Sequence, residues 1–205
     1  MKKLALIAMT ALLFAAFVSC QTSGTSTAAV TPKPTPAPVV AAPVFDITKS
    51  WTFEDTTVWT SSLTDGKAYA GLTAVGLGIG VSAIPAAQLP KTALINGKTI
   101  NLTQRLQLPK LSTPASGALK VPMAGPGTLV IACLSSGSTA ARDLVITNGK
   151  KELFRKTLTM VVASEADIIS YTYTDADQKS GDGNVYLYTD DPGGAITLYY
   201  LGIAK

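Results

Sequence analysis

The sequence predicts an all-β domain, an antiparallel sandwich or jelly roll of about ten short strands. Three observations carry that prediction. Short apolar or alternating runs recur at regular spacing, separated by turn residues. Asn-Gly stands twice between such runs, at Asn96-Gly97 and Asn148-Gly149. Both residues of that turn must tolerate positive φ, which makes the pair a strong hairpin signal. No stretch shows the apolar period of a clear amphipathic helix.

The segments read as follows. Residues 1–19 are a targeting segment, with Lys2 and Lys3 as its positive start and Leu4 to Val18 as its apolar run. That run is too short for a comfortable transmembrane span. It ends in Phe17-Val18-Ser19-Cys20, which resembles a bacterial lipobox, with Cys20 as the lipidated residue. Leu is usual where Phe17 stands, and the departure resembles the relaxed lipoboxes of spirochaetes. An ordinary secretory signal with a coincidental cysteine is the alternative. Residues 20–44 form a Pro, Thr and Ala-rich linker, whose TPKPTPAP reads as a semi-rigid polyproline II spacer. Residues 45–205 are the β-sandwich domain. The expected membrane partner is therefore met through a lipid anchor bearing acyl chains such as palmitate. The expected location is the bacterial cell envelope, with the domain periplasmic or surface-exposed.

Within the domain, Trp51-Thr52-Phe53 lies in a short first strand. Gly66 to Ser82 is Gly-rich and apolar and reads as a strand pair. Its Gly78-Ile79-Gly80 lacks the third spaced glycine and the downstream acid of a dinucleotide site. Leu94-Ile95 and Thr99 to Leu108 flank the first Asn-Gly, and the second arm alternates as a half-buried strand. Leu119 to Met123 is another strand. Gly125 to Met160 reads as three consecutive antiparallel strands, turned by the small-residue loop Ser135–Ala141 and by Asn148-Gly149. Ile168 to Thr174 is a strand and Asp175 to Asn184 an acidic, turn-rich loop. Val185 to Thr189 and Ala195 to Ile203 are the last strands.

Composition excludes several classes. Histidine is absent, which removes Ser-His-Asp, Cys-His and His-based zinc chemistry. Cys133 sits mid-strand and reads as a buried free thiol. Hydrophobic residues make up 47% and charged residues 15%, enough apolar material for a core. The formal charge is +4, but without Lys2, Lys3 and Lys33 it falls to +1, from 14 cations against 13 anions. Nucleic acid is not an expected partner. No cofactor is required.

NGKTINLTQRLQL, LKVPMAGPGTLVIACLSSGSTAARDLVITNGK and NVYLYTDDPGGAITLYYLGI resemble the β-sandwich modules attached to secreted bacterial pectate lyases and related polysaccharide-degrading enzymes. Trp51-Thr52-Phe53 fits the W-x-F near the start of those modules. The resemblance implies an accessory, non-catalytic module with a carbohydrate ligand. A hydrolase or lyase is least favoured, because roughly 160 residues are too few for a catalytic parallel β-helix beside this domain. A structural or adhesive lipoprotein contacting protein partners is the alternative.

Exposed aromatics would stack on sugar rings. Alternation puts Tyr171 and Tyr173 on one face of their strand, and Tyr186 and Tyr188 on one face of theirs. Packing in the core with hydrogen-bonded hydroxyls is the competing reading. Trp59 lies in the polar stretch Thr56–Ser62 and is the expected exposed platform. The resemblance aligns Arg142 with a recurrent arginine, suited either to a uronate carboxylate or to tying down its own loop. Asp175, Asp177 and Asp182 supply oxygens of the kind calcium takes, but Lys179 and Ser180 break the EF-hand spacing. A solvated acidic turn is the default for that loop.

Overall fold

The computed structural model describes residues 43–205. The targeting segment, Cys20 and the linker up to residue 42 lie outside the described residues. Strands β1 (Ile47–Thr52), β2 (Ala68–Tyr69), β3 (Leu72–Val75) and β4 (Gly80–Ala83) open the domain. A 3-10 turn precedes β5 (Lys91–Ile95), β6 (Lys98–Leu102) and β7 (Gln104–Leu108). The middle holds β8 (Ala118–Pro122), β9 (Gly127–Ser135), β10 (Arg142–Thr147) and β11 (Glu152–Leu158). The chain closes with β12 (Asp167–Tyr173), helix α1 (Asp175–Ser180), β13 (Asn184–Tyr188) and β14 (Ile196–Ala204).

The architecture is an antiparallel β-sandwich. One sheet runs β12-β9-β14-β7-β4, with β1 alongside the C-terminal half of β14. The facing sheet runs β11-β10-β13-β8-β3-β2. Among the described residues fourteen strands stand where about ten are expected from sequence. Part of the excess is in the Gly-rich segment, whose β2–β3 hairpin joins one sheet while β4 joins the other. The run Thr99–Leu108 also divides: it breaks at Thr103, where the amide and hydroxyl donate to Glu54, and β6 and β7 go to different sheets.

Gly125–Met160 holds the three consecutive strands expected, but they do not form one antiparallel ladder. β9 belongs to the first sheet and β10 and β11 to the second, so Ser135–Ala141 crosses between layers. Strand alternation then fills the space between sheets from both sides. Leu129, Ile131 and Cys133 of β9 meet Leu144 and Ile146 of β10, Leu119 and Val121 of β8, and Val185 and Leu187 of β13, all without solvent exposure. Each such aliphatic side chain stabilises the fold by about 1.5–3 kcal/mol relative to exposure. Burial pushes the Cys133 thiol well above its usual range, so it is an inert packing group.

The two Asn-Gly turns differ. At β5–β6, Asn96 (φ 52°) and Gly97 (φ 73°) form the two-residue turn that alternation predicts. At β10–β11 only Gly149 is left-handed (φ 85°), and Asn148 is fully buried. Its Oδ1 accepts from the amides of Lys150 and Lys151, and its Nδ2 donates to the Asp177 carbonyl and Ser180 Oγ. Asn148 thereby ties this turn to α1.

The β5–β6 hairpin covers the outer face of the first sheet, where Ala93, Ile95 and Leu102 pack on Ala132, Leu134, Tyr199 and Tyr200. A bulge between Leu198 and Tyr200 shifts the register, so consecutive tyrosines both serve this second core while Leu198 and Leu201 serve the first. Lys91 is buried beside it and donates to the carbonyls of Val161 and Ala163. Desolvation holds its ammonium below the usual lysine range. Among the described residues, no helix is long and apolar enough to cross a membrane.

Candidate functional site

The outer face of the second sheet combines a groove with polar side chains. Its rows follow from register. Thr73 of β3 faces Lys120 of β8, Lys120 faces Tyr186 of β13, and Tyr186 faces Thr147 of β10. Three strand spacings make this row roughly 14 Å long. Loops rise around part of it and enclose an open groove of about 680 Å³. Thr73, Val75, Lys120 and Tyr186 line its sheet side. Asp65 and Gly66, Pro114 and Ala115, Gly149 and Lys150, and Asp182 line its loop side. The hollow beside Gly125-Pro126 is smaller at about 460 Å³, and that beside Asn96-Gly97 is about 240 Å³.

Tyr186 anchors the groove. Its hydroxyl donates to Asp182 Oδ2 at 2.6 Å, while the Asn184 amide donates to Oδ1 at 3.0 Å. Burial acts to raise the Asp182 carboxyl, but these hydrogen bonds outweigh it and hold the group below its ordinary value. Burial, reinforced by Asp182, pushes the Tyr186 phenol up to about 12. The Lys120 ammonium lies 5.9 Å from the ring centroid. A Cβ on Gly149 would meet the ring at 3.0 Å, so a side chain there would crowd Tyr186 as well as strain φ.

The residues proposed from sequence scatter. Tyr186 and Tyr188 share the outer face as alternation requires, but each is only 9% exposed. Tyr186 alone lines the groove. Tyr188 lies toward a surface ion network in which Arg155 pairs with Asp190 and Glu152 at 2.8 Å and with Asp143 at 3.4 Å. Tyr171 and Tyr173 also share a face, but it is the one turned to the core. Tyr173 is fully buried, and the half-buried Tyr171 donates to Asp177 Oδ2 at 2.9 Å and packs on Phe154. Neither is a surface platform.

Trp59 is a correction. It is 3% exposed, with Phe53 edge-on at 5.1 Å and Tyr69 stacked at 6.1 Å. The polar residues around it face solvent because an Asx turn at Asp55 folds the indole inward: Asp55 Oδ1 accepts from Thr57, and its carbonyl from the Trp59 amide. Arg142 takes the loop-tying role. Its guanidinium donates to Ser135 Oγ at 3.1 Å and to the Gly193 carbonyl at 2.9 Å, joining the β9–β10 and β13–β14 loops.

The acidic loop is largely helical. Asp175 opens α1, and Asp177 forms a capping box with Thr174, so its carboxylate is committed to the fold. Asp182 faces the groove, apart from both. Among the described residues, no cluster of three or more acidic or cysteine side chains has the arrangement of a metal site.

Sequence reasoning missed Thr73, Asp65, Lys120 and Lys150. Lys120 had a local signal, as the only charge in Ala118-Leu-Lys-Val-Pro122 and at an outward position. Asp65 and Lys150 lie on loops far apart in sequence, and nothing local marks their meeting.

No protein-family model and no curated protein matches the chain. Solved structures do. A family 35 carbohydrate binding module from Clostridium thermocellum is similar at 16% identity and TM-score 0.44, over 77% of this chain and 99% of that one. The CBM22-1 xylan-binding domain of Paenibacillus barcinonensis Xyn10C is similar at 15% identity and TM-score 0.45, over 80% and 97%. A chain described with glycan recognition by the Ruminococcus flavefaciens cellulosome is similar at 18% identity and TM-score 0.40, over 78% and 96%.

Proposed function

We propose that residues 45–205 form a non-catalytic module that binds polysaccharide in the groove on the outer face of the second sheet. One observation carries the reading. A row of hydroxyl, ammonium and phenol groups (Thr73, Lys120, Tyr186) lies across three neighbouring strands in an open groove that also holds Val75, Pro114 and Ala115. An extended chain with polar edges and apolar faces matches such a strip of alternating character. The resemblance to modules of polysaccharide-degrading enzymes points the same way. Affinity is modest, because few groups make the contact and association entropy opposes it.

Affinity electrophoresis against a panel of plant and host polysaccharides tests this. Thr73→Trp fills the groove and leaves the inward Leu72 and Ala74 untouched. It is expected to weaken binding at least tenfold with an unchanged melt. If no polysaccharide retards the wild type, or Thr73→Trp binds as the wild type does, the groove is not the site. The adhesive alternative draws on Leu77 and Leu111, which are 78% and 63% exposed on loops that approach one another through Gly78 and Pro109. It requires Leu77→Ser with Leu111→Ser to abolish attachment that Thr73→Trp leaves intact.

The reading places the domain on a lipid anchor at Cys20, in the bacterial cell envelope and facing the periplasm or the exterior. Several acyl chains hold a protein to a membrane where a single chain binds only marginally. Cys133 is the only other cysteine and is fully buried, so palmitate carried on a cysteine-linked diacylglycerol would report Cys20. The full chain is expected in the detergent phase on Triton X-114 partition, and Cys20→Ala in the aqueous phase. Aqueous partition of both sinks the anchor.

A further inference from the structure

The groove contains four side chains that are charged at neutral pH, Asp65, Asp182, Lys120 and Lys150, so its formal charge is zero. Their commitments are unequal. Both Asp182 oxygens hold donors, from Tyr186 and from the Asn184 amide. Asp65 Oδ1 accepts from the Gly76 amide at 2.6 Å. The cations have no such partners. Among the described residues the ion pairs are made by Lys151 and Arg155, and neither the Lys120 nor the Lys150 ammonium joins one. Each ammonium offers three donors and no acceptor. The free polar capacity of the groove is therefore weighted toward donors that carry charge.

Building on the polysaccharide reading, we propose that the groove selects an acidic polysaccharide, with Lys120 and Lys150 receiving carboxylate or sulfate groups on its sugars. Lys120 stands mid-row between Thr73 and Tyr186, so an anionic substituent there leaves neighbouring sugar hydroxyls beside a threonine and a phenol. Lys150 rises from the loop wall opposite the sheet and is exposed. Selection is local: the domain as a whole is close to neutral, so no global field gathers polyanions. Partly exposed charge pairs are individually weak and screened by salt.

The test uses polygalacturonate, its carboxyl-reduced neutral counterpart and chondroitin sulfate, in affinity electrophoresis at low and physiological salt. Acidic polymers are expected to bind at least tenfold more tightly than the neutral one, with the difference shrinking as salt rises. Lys120→Gln and Lys150→Gln should each weaken acidic binding about threefold to fivefold. The double variant should erase the preference without altering the melt, and Lys98→Gln, at the distant β5–β6 hairpin, should change nothing. If the neutral polymer binds as well as the acidic ones, anion selection is wrong while the groove reading stands. If Lys98→Gln weakens binding equally, the effect is one of overall charge and the inference fails. If none of the three polymers binds and neutral glycans in the wider panel do, the inference alone is overturned. If nothing in the panel binds, both readings are.

Discussion

Trp59→Ala is expected to destabilise the domain by about 3–5 kcal/mol, the range for removing a large aromatic from a well-packed core. For a domain of this size that lowers the melting temperature by roughly 10 °C. The indole is 3% exposed, lies against Phe53 and Tyr69, and belongs to the core between the sheets with Leu63 and Ile79. The surrounding loop has little room to collapse into the cavity. It is held by the Leu63 amide to the Ile79 carbonyl and by the Val81 amide to the Thr60 carbonyl, and Ser61 approaches so closely that a Cβ on Gly80 would lie 2.1 Å from its carbonyl oxygen. Trp59→Phe keeps an aromatic edge and is expected to cost less than half as much. Thermal and urea melts of residues 45–205 measure both. A melt of Trp59→Ala superimposable on the wild type would return this residue to the surface. The milder Trp59→Phe also separates stability from binding: it is expected to retain glycan affinity, and a folded variant that binds nothing would move the ligand from the groove to this loop.

Trp59 illustrates where the sequence was legible and where it was not. Period-two alternation and Asn-Gly turns are local signals, so the β class, most strand positions and the pairing of Tyr186 with Tyr188 on one face could be read directly. Which sheet a strand joins is decided by long-range pairing. The small-residue loop after β9 looks the same in sequence whether it folds back as a hairpin or crosses to the other layer, and Arg142 ties the crossing to Gly193, far along the chain. A polar stretch around a tryptophan likewise does not reveal which way the indole turns, and here an Asx turn at Asp55 decides it. The helix was legible in principle, since Thr174 and Asp177 have the spacing of a capping box, but one short helical turn leaves no apolar period to find. The groove was the least legible part. Its walls come from four separate loops, and its one sequence cue, an isolated lysine between Leu119 and Val121, is common on strand surfaces.

Asp177→Ala is expected to cost about 3 kcal/mol, combining the loss of a helix cap with hydrogen bonds to a buried carboxylate. The side chain is 8% exposed. It accepts from the Tyr171 hydroxyl at 2.9 Å, from the Thr174 amide at 3.1 Å and from Thr174 Oγ1 at 2.8 Å, with Lys151 at 3.4 Å. Alanine leaves the Tyr171 hydroxyl without that acceptor and loosens α1, whose Asp177 carbonyl receives Asn148 from the neighbouring turn. The charge itself can be isolated by pH. Burial acts to raise this carboxyl, but the hydrogen bonds from Thr174 and Tyr171 and the Lys151 contact outweigh it, so the folded value lies below the ordinary one of about 3.9. A group with a depressed folded pKa contributes stability fully above its unfolded value and loses it as pH falls through the folded one. The stability gap between wild type and Asp177→Asn should therefore be constant from neutrality to about pH 5 and then narrow on further acidification, as the wild-type carboxylate takes up the proton that the amide never needed. Urea melts across that range read the gap directly. A gap that stays level down to pH 3 would mean that the ionised carboxylate adds nothing beyond what the amide provides, and that the cap rests on geometry alone.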